Sequence, residues 1–564
     1  MTAVDLEVKP EDNDKNESEA PKPRRNTFGH IGRLLLIALA LGWLFDFLFW
    51  EKVPGISFAI FVGLCITAGL LLARLENLRP TLASLALLVP IGFFAAMSFI
   101  RLEPLTLFLN RVLALFFMAI LANTLLGGKW WHYNLSDYIV NQVRLGIDII
   151  GRPLTTLSDN ALHSARDKSQ KSKNRKLVFG IVRGAVLALP VVAVFAALLA
   201  SADPIFSQNL TNLLDIFNIE NLGEYIFRAV LIAGVGYGLA GVYLHALLKS
   251  RDEKVSASWL EPFLGFTEAV VILGSVNVLF LSFVIVQFRY FFGGQANIAI
   301  DGYTYAEYAR RGFSELVVVA VLSLLLYLGL SAITKRTKGN QRRAFSSLGI
   351  LLVLLVGIML VSAFQRLYLL EQAYGFTRLR TYPHVFMIWL GILLAAVVIL
   401  EIAKRQQAFA LAAVLVAAGF AATLNFLNVD AFIARQNIAR GAAGEAVDIA
   451  YIASLSDDVL PPLHEMLNPE SYTGRTYPTQ RAEIAGALAC HAALNNEYSR
   501  ELPWQSFTMS HFNAQRIWEQ QLANNQHPDF QDYGVQEATS RSNGISVTIN
   551  NQEFDCIDEF YSSR

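Results

Sequence analysis

The chain has 564 residues, of which 54% are hydrophobic, 12% aromatic and only 16% charged. A soluble domain carries about a quarter of its residues as Asp, Glu, Lys and Arg, so this composition excludes an ordinary soluble enzyme and points to a membrane. The net charge of zero hides strongly asymmetric segments, and three cysteines are too few for a disulfide framework.

Residues 1–27 are polar and rich in Asp, Glu, Lys, Asn and Pro, the composition of a disordered tail. The apolar run after it starts too late and is too long for a signal peptide. Apolar runs then recur near 31–50, 56–75, 81–100, 105–126, 177–199, 225–247, 263–286, 312–333, 346–368, 385–403 and 408–427. Each suits a hydrocarbon core about 30 Å thick. They predict an all-α polytopic membrane fold of about eleven transmembrane helices, with helices 1–4 in residues 28–126 and helices 5–11 in residues 177–427.

Lysine and arginine sort unevenly between the connections. One set holds Arg74, Arg79, Lys129, a basic run from Arg166 to Lys176, Lys249, Arg251, Lys254, the cluster Lys335 to Arg343, and Lys404 with Arg405. The other set holds one lysine, Lys52. The positive-inside rule makes the first set and the N-terminus cytoplasmic, and an odd span count sends the C-terminus outside. Within the cytoplasmic loop 127–176, Trp130, Trp131 and Tyr133 form an interfacial belt. Ile139, Val143, Ile147 and Ile150 at helical spacing predict a helix lying along the membrane.

Residues 428–564 contain eight arginines, eighteen acids and no lysine, a formal charge near −10. Helical patterns fall at about 429–440, 445–456, 477–495 and 505–523, interrupted by Pro461-Pro462 and the polar stretch 468–479. Ile545 to Ile549 alternates like a strand, and Asn550-Asn551-Gln552 is able to turn it back on Glu553 to Ile557. The expectation is a small, mostly helical extracytoplasmic domain closed by a β-hairpin. Cys490 and Cys556 both lie in it and are able to pair if it is outside the cytoplasm.

The anomaly is arginine on the sparsely basic side. Arg289, Arg310, Arg311, Arg366, Arg378 and Arg380 occupy two outer connections, and none is a lysine. A guanidinium presents a planar fork that grips carboxylate or phosphate at two points. Two readings follow: internal pairing with Asp301, Glu307, Glu315 and Glu371, or a site for an anionic lipid or lipid-linked phosphate. A helix from Tyr303 would align Glu307, Arg311 and Glu315 at four-residue steps. Asp203, in a connection without basic residues, is either their counter-charge or a turn residue before Pro204. Asp46 and Arg111 lie at similar depths and are expected to pair. Glu268, without an obvious partner, is the candidate proton carrier. No phosphate loop, zinc-protease helix or serine-hydrolase elbow occurs, and the nine histidines show no ligand spacing. The pattern therefore calls for no metal, cofactor or nucleic acid.

Five stretches occur in order: LLASADPIF at 198–206, VQFRYFFGG at 286–294, DGYTYAEYARRGFSEL at 301–316, RLYLLEQAYGFTRLRTYP at 366–383 and LNFLNVDAFIARQNIAR at 424–440. With them the chain resembles a bacterial family known as domain of unknown function 4153 or 4173, across most of residues 180–460. The resemblance implies a multi-span inner-membrane protein and carries no reaction or ligand. The resulting expectation is a non-enzymatic envelope protein, transporter-like or a binding and assembly subunit, with an anion-binding outer rim. An envelope protein partner would meet the acidic C-terminal domain. The alternative is a membrane enzyme acting on a lipid-linked phosphate or glycan, with Asp203 or Glu307 as base.

Overall fold

The computed structural model describes residues 31–128, 130–167, 198–208 with isolated positions just before them, 222–248, 262–292, 313–468, 471, 475–494, 502–523, 535–541, 544–549 and 551–556. Among the described residues, ten helical segments are long and apolar enough to cross a membrane, and the protein is a multi-pass, all-α membrane protein. The fifth predicted span, 177–199, lies mostly outside the described residues, as do the tail 1–27 and residues 168–176.

The membrane part comprises two helical bundles. In the first, α1 (Ile31–Phe49), α2 (Ile56–Leu75), α3 (Leu82–Leu85) with α4 (Leu88–Ile100), α5 (Pro104–Thr124) and, after the long helix α6 (Leu135–Asp167), α7 (Leu222–Leu248) enclose Leu34, Leu72, Ile91, Ile120 and Leu244. Helices α1 and α7 approach each other closely. A Cβ at Gly42 would lie 2.3 Å from the Ile232 carbonyl oxygen, and one at Gly236 would lie 3.1 Å from that of Ala38. The second bundle joins α8 (Phe266–Phe292), α9 (Phe313–Ile333), α10 (Gly339–Tyr374) and α11 (Arg378–Ile402) around Leu273, Phe345, Leu352 and Leu367. Helix α12 (Phe409–Leu427) packs on both α11 and α5 and so links the bundles.

The α6 helix shows its apolar stripe outward: Ile139, Val143, Ile147 and Ile150 are all more than half exposed. That is the arrangement of a helix floating at a membrane interface. Its other face buries Tyr138 and Leu145 and is pinned by His245 of α7. His245 Nδ1 is 2.6 Å from Asp148 and Nε2 is 2.9 Å from Asn123 Oδ1. Arg152 closes on Asp148 at 2.9 Å. Burial alone would raise the Asp148 pKa, but the His245 hydrogen bond and the Arg152 charge hold it below the ordinary carboxylate value.

The outer connection expected between the ninth and tenth runs shrinks to three residues. Helix α10 has 36 residues, about 54 Å at 1.5 Å per residue, far beyond the hydrocarbon core. Arg366 and Glu371 are therefore helical, and Arg378 and Arg380 form the first turn of α11. Gly375, at φ +77°, makes the corner, a conformation that glycine adopts freely.

After α12 the chain turns at Asn428 in the left-handed region (φ 50°) into α13 (Val429–Ala442). Then come α14 (Ile449–Ala453), α15 (Leu460–Leu467), α16 (Arg481–Leu494) and α17 (Met509–Ala523) around Ile433, Ile452, Leu463, Leu488 and Val547. Two expectations need correction. Pro461 and Pro462 do not interrupt a helix but open α15, because proline's missing N–H goes unneeded in a first turn. The terminal hairpin, β2 (Gly544–Ile549) with β3 (Gln552–Asp555), gains a third strand, β1 (Val535–Arg541), in antiparallel order β1-β2-β3. The polar VQEATSR carries no apolar alternation that marks it as a strand.

Candidate functional site

Among the described residues, the connections that follow α1, α4 and α10 all meet the C-terminal domain. At one end the C-terminal domain is welded to the helices by a buried polar seam. Asp430, fully buried at the start of α13, accepts from Arg378 Nε at 2.8 Å and Nη2 at 2.6 Å, and from the Ser456 amide and hydroxyl at 2.9 and 2.5 Å. The negative charge also suits the N-terminal end of the helix dipole. Asp458, also buried, accepts from the Leu102 amide at 2.9 Å and from Ser510 at 2.6 Å, with Arg101 at 3.5 Å. Burial raises its pKa against the opposing pull of those partners. Below them Asn110 and Asn425 exchange amide hydrogen bonds at 2.9 and 2.7 Å. Glu103 caps α5 and accepts from Tyr382.

Of the six arginines singled out from sequence, the seam engages Arg378. Arg378 is committed to Asp430, a carboxylate the sequence reading did not pair with it. Arg380 donates to the Tyr374 and Gly375 carbonyl oxygens at 2.9 and 2.6 Å. Arg366 donates to Gln287 at 3.0 Å, which joins α10 to α8. Arg289 lies in α8, but its side chain, together with Asp301, Glu307, Arg310 and Arg311, lies outside the described residues. Glu315, in the first turn of α9, accepts from Ser314 at 2.9 Å. Asp203 caps the turn beginning at Pro204 by accepting the Ile205 amide at 2.8 Å. Glu268 is exposed and reaches back to the Gly265 amide at 2.9 Å, the reciprocal half of a helix N-cap. The structure gives this proton-carrier candidate a local capping partner. Cys490 and Cys556 are bonded, with Cα atoms 5.0 Å apart.

Glu371 has a partner that the sequence reading missed. His384 Nδ1 of α11 lies 2.8 Å from Glu371 Oε2. Glu371 Oε1, His384 Nε2 and the Thr381 hydroxyl are buried with no hydrogen-bond partner among the described residues. Each such orphan costs about 1–3 kcal/mol, and the three sit on the neighbouring helices α10 and α11.

The opposite end holds a cavity of about 1250 Å³ lined by Arg336, Arg342, Arg343, Lys404 and Arg405. Its acid, Glu401, already accepts from Tyr327 at 2.6 Å, Gln406 at 2.5 Å and Ser346. Trp131 and His132 form part of the wall. Arg336 packs over Phe345 at 4.7 Å, and burial lowers its pKa while Glu401 acts the other way. The sequence showed these cations only as a topology signal, because their convergence depends on α9, α10 and α11 ending at one place. Among the described residues no cluster of His, Cys, Asp and Glu is arranged to hold a metal.

The family described as "Domain of unknown function (DUF4153)" matches residues 88–466. The match takes in nearly the whole seam, from Arg101 to Asp458, and the entire lining of the basic cavity. No curated protein and no solved structure matches the chain.

Proposed function

The chain belongs to the family described as Domain of unknown function (DUF4153), and on that premise we propose a transporter-like or binding and assembly protein of the bacterial inner membrane. It holds an anionic, phosphate-bearing ligand, a lipid headgroup or a free anion, at an arginine-lined end of its helical bundle. The observation that carries this reading is the basic cavity: five cations surround one carboxylate that three neutral donors already satisfy. Such a cavity has excess positive field, and guanidinium forks suit phosphate oxygens. The lysine and arginine sorting supports a cytoplasmic N-terminus and cavity, with the C-terminal domain periplasmic. A bonded cysteine pair in that domain fits an oxidising compartment. Arg289, Arg310 and Arg311 extend the anion proposal to the opposite rim, and the acidic domain offers a surface to an envelope partner. The alternative is a membrane enzyme acting on a lipid-linked phosphate or glycan, with Asp203, which caps a turn, or Glu307 as base.

The test is gentle purification of the full chain, followed by mass spectrometry of retained lipids and anions. Wild type is compared with Arg342→Ala/Arg343→Ala/Arg405→Ala and with Arg310→Ala. Loss of a phosphate-bearing species by about tenfold or more in the triple variant supports the cavity, and loss in Arg310→Ala supports the rim. Equal retention by all three proteins overturns both.

A further inference from the structure

Helices α10 and α11 enclose a second cavity, unrelated to the basic one, of about 520 Å³. Its walls are wholly apolar, with Leu360, Phe364, Ile388 and Leu394 among them, and it is hollowed where Gly357 and Gly391 lack side chains. A Cβ at Gly357 would meet nothing within 4 Å, and one at Gly391 would touch only Leu360 at 3.7 Å. From Val353 to Phe364 the groove runs eleven residues of α10, about 16 Å, or half of a hydrocarbon core about 30 Å thick. Leu354, Ile358, Val361 and Ile388 are exposed along it, so it opens sideways toward lipid.

The groove ends on a polar cluster. Phe364, in its wall, packs edge-on against the His384 ring with centroids 4.3 Å apart. Beyond it stand the three buried orphans: Glu371 Oε1, His384 Nε2 and the Thr381 hydroxyl. Thr381 and His384 are three residues apart on α11 and share a face. An apolar slot with a buried, unsatisfied polar head matches an amphiphile of the same layout. Glu371 and His384 already pair with each other, so a charged head would enter without a counter-ion and be disfavoured. A hydroxyl suits the cluster better, because it donates one hydrogen bond and accepts others. From this geometry we propose that the α10–α11 groove is a binding site for a neutral, hydroxyl-bearing lipid. The chain lies along Gly357 and Gly391, and the hydroxyl sits among Glu371, His384 and Thr381.

The probe is a photoactivatable hexadecanol, presented to the full-length protein in lipid nanodiscs, with labelled peptides identified by mass spectrometry. Gly357→Leu places a side chain in the slot from a Cβ position that meets nothing within 4 Å, and Thr381→Val removes one head contact at nearly constant volume. The expected result is saturable labelling of α10 or α11 in wild type, reduced about tenfold by Gly357→Leu and also reduced by Thr381→Val. Unlabelled hexadecanol competes, and hexadecyl phosphate competes about tenfold less well. Melting curves of both variants should match wild type, which separates lost binding from lost fold. Labelling that does not saturate, that persists in Gly357→Leu, or that hexadecyl phosphate suppresses equally would reduce the groove to ordinary lipid contact and overturn the proposal.

Discussion

Asp46 of α1 and Arg228 of α7 form an ion pair, with Arg228 Nη2 2.6 Å from Asp46 Oδ2 and Nε 3.2 Å from both carboxylate oxygens. Depth along the spans suggests Arg111 as the partner of Asp46, yet Arg111 donates to the Pro54 carbonyl oxygen at 2.6 Å. The reason is lateral: α7 packs directly on α1 through Gly42 and Gly236, a neighbour that depth alone does not identify. Asp46→Asn and Arg228→Gln should each lower the melting temperature and the yield of the full-length protein. The double variant should recover much of the loss, since it leaves no unpaired charge. Losses that simply add would show that the two side chains are not coupled.

The same contact makes a glycine prediction. At Gly42 an added methyl meets the Ile232 carbonyl oxygen at 2.3 Å, whereas at Gly63 it meets nothing within 4 Å. Gly42→Ala should therefore separate α1 from α7 and destabilise the protein. Gly63→Ala should be neutral or stabilising by about 0.5–1 kcal/mol, the usual helical difference between the two residues. Thermal unfolding of the pair in one detergent decides it, and an equal response would refute the close approach.

Along the polar seam, Asp430→Ala strands the Arg378 guanidinium and should destabilise the domain junction by about 3–5 kcal/mol. Arg380→Ala removes hydrogen bonds to carbonyl oxygens and a contact over the Tyr374 ring and should cost about 1 kcal/mol. Limited proteolysis reports the difference: the first variant should release the C-terminal domain early, the second at nearly the wild-type rate. Similar rates for both would mean that the Arg378–Asp430 pair does not hold the domain.

What the sequence made legible was whatever depends on local pattern. Apolar run length predicts the spans, and the exposed stripe at Ile139, Val143, Ile147 and Ile150 follows from helical spacing. Chemistry that depends on convergence was harder to read. Arg378 was legible as a fork needing an acid, but Asp430 lies 52 residues away across a helix corner. Arg342, Arg343, Lys404 and Arg405 obey the positive-inside rule whether or not they share a cavity. His384 had no spacing signal because its partner sits on the preceding helix, across the tight Gly375 corner.

The domain should weaken in mild acid. Burial lowers the pKa of His491 below the ordinary imidazole value, against the attraction of Asp457 and the Leu455 carbonyl, and burial does the same to His464. A histidine with a depressed folded pKa binds more protons unfolded, so stability is complete above about pH 6.5 and falls as pH drops below it. The melting temperature of the full-length protein should decline from pH 7.5 to pH 5.5, and His491→Asn should flatten that slope. Asp458 acts in the opposite sense, because its raised pKa makes the folded state take up a proton before the unfolded chain does. A slope unchanged by His491→Asn would remove His491 as its source.

The last strand is held by chemistry as well as packing. Cys556 follows β3 and is bonded to Cys490 in α16, closing a loop of 66 residues. In the chain-entropy picture a loop of that length stabilises by about 4 kcal/mol. Phe554, one turn of strand away, packs 3.2 Å from the position of a Cβ on Gly486, so the bond clamps an interface that is already close. Reductant should lower the melting temperature of the C-terminal domain and leave the helical bundles unchanged. The third thiol, Cys65, is buried in the first bundle and should stay silent throughout. Both domain cysteines are buried as well, so a membrane-impermeant maleimide should label them only once the reduced C-terminal domain has unfolded, and neither without reductant. Labelling of either cysteine without reductant would show free thiols and refute the bond.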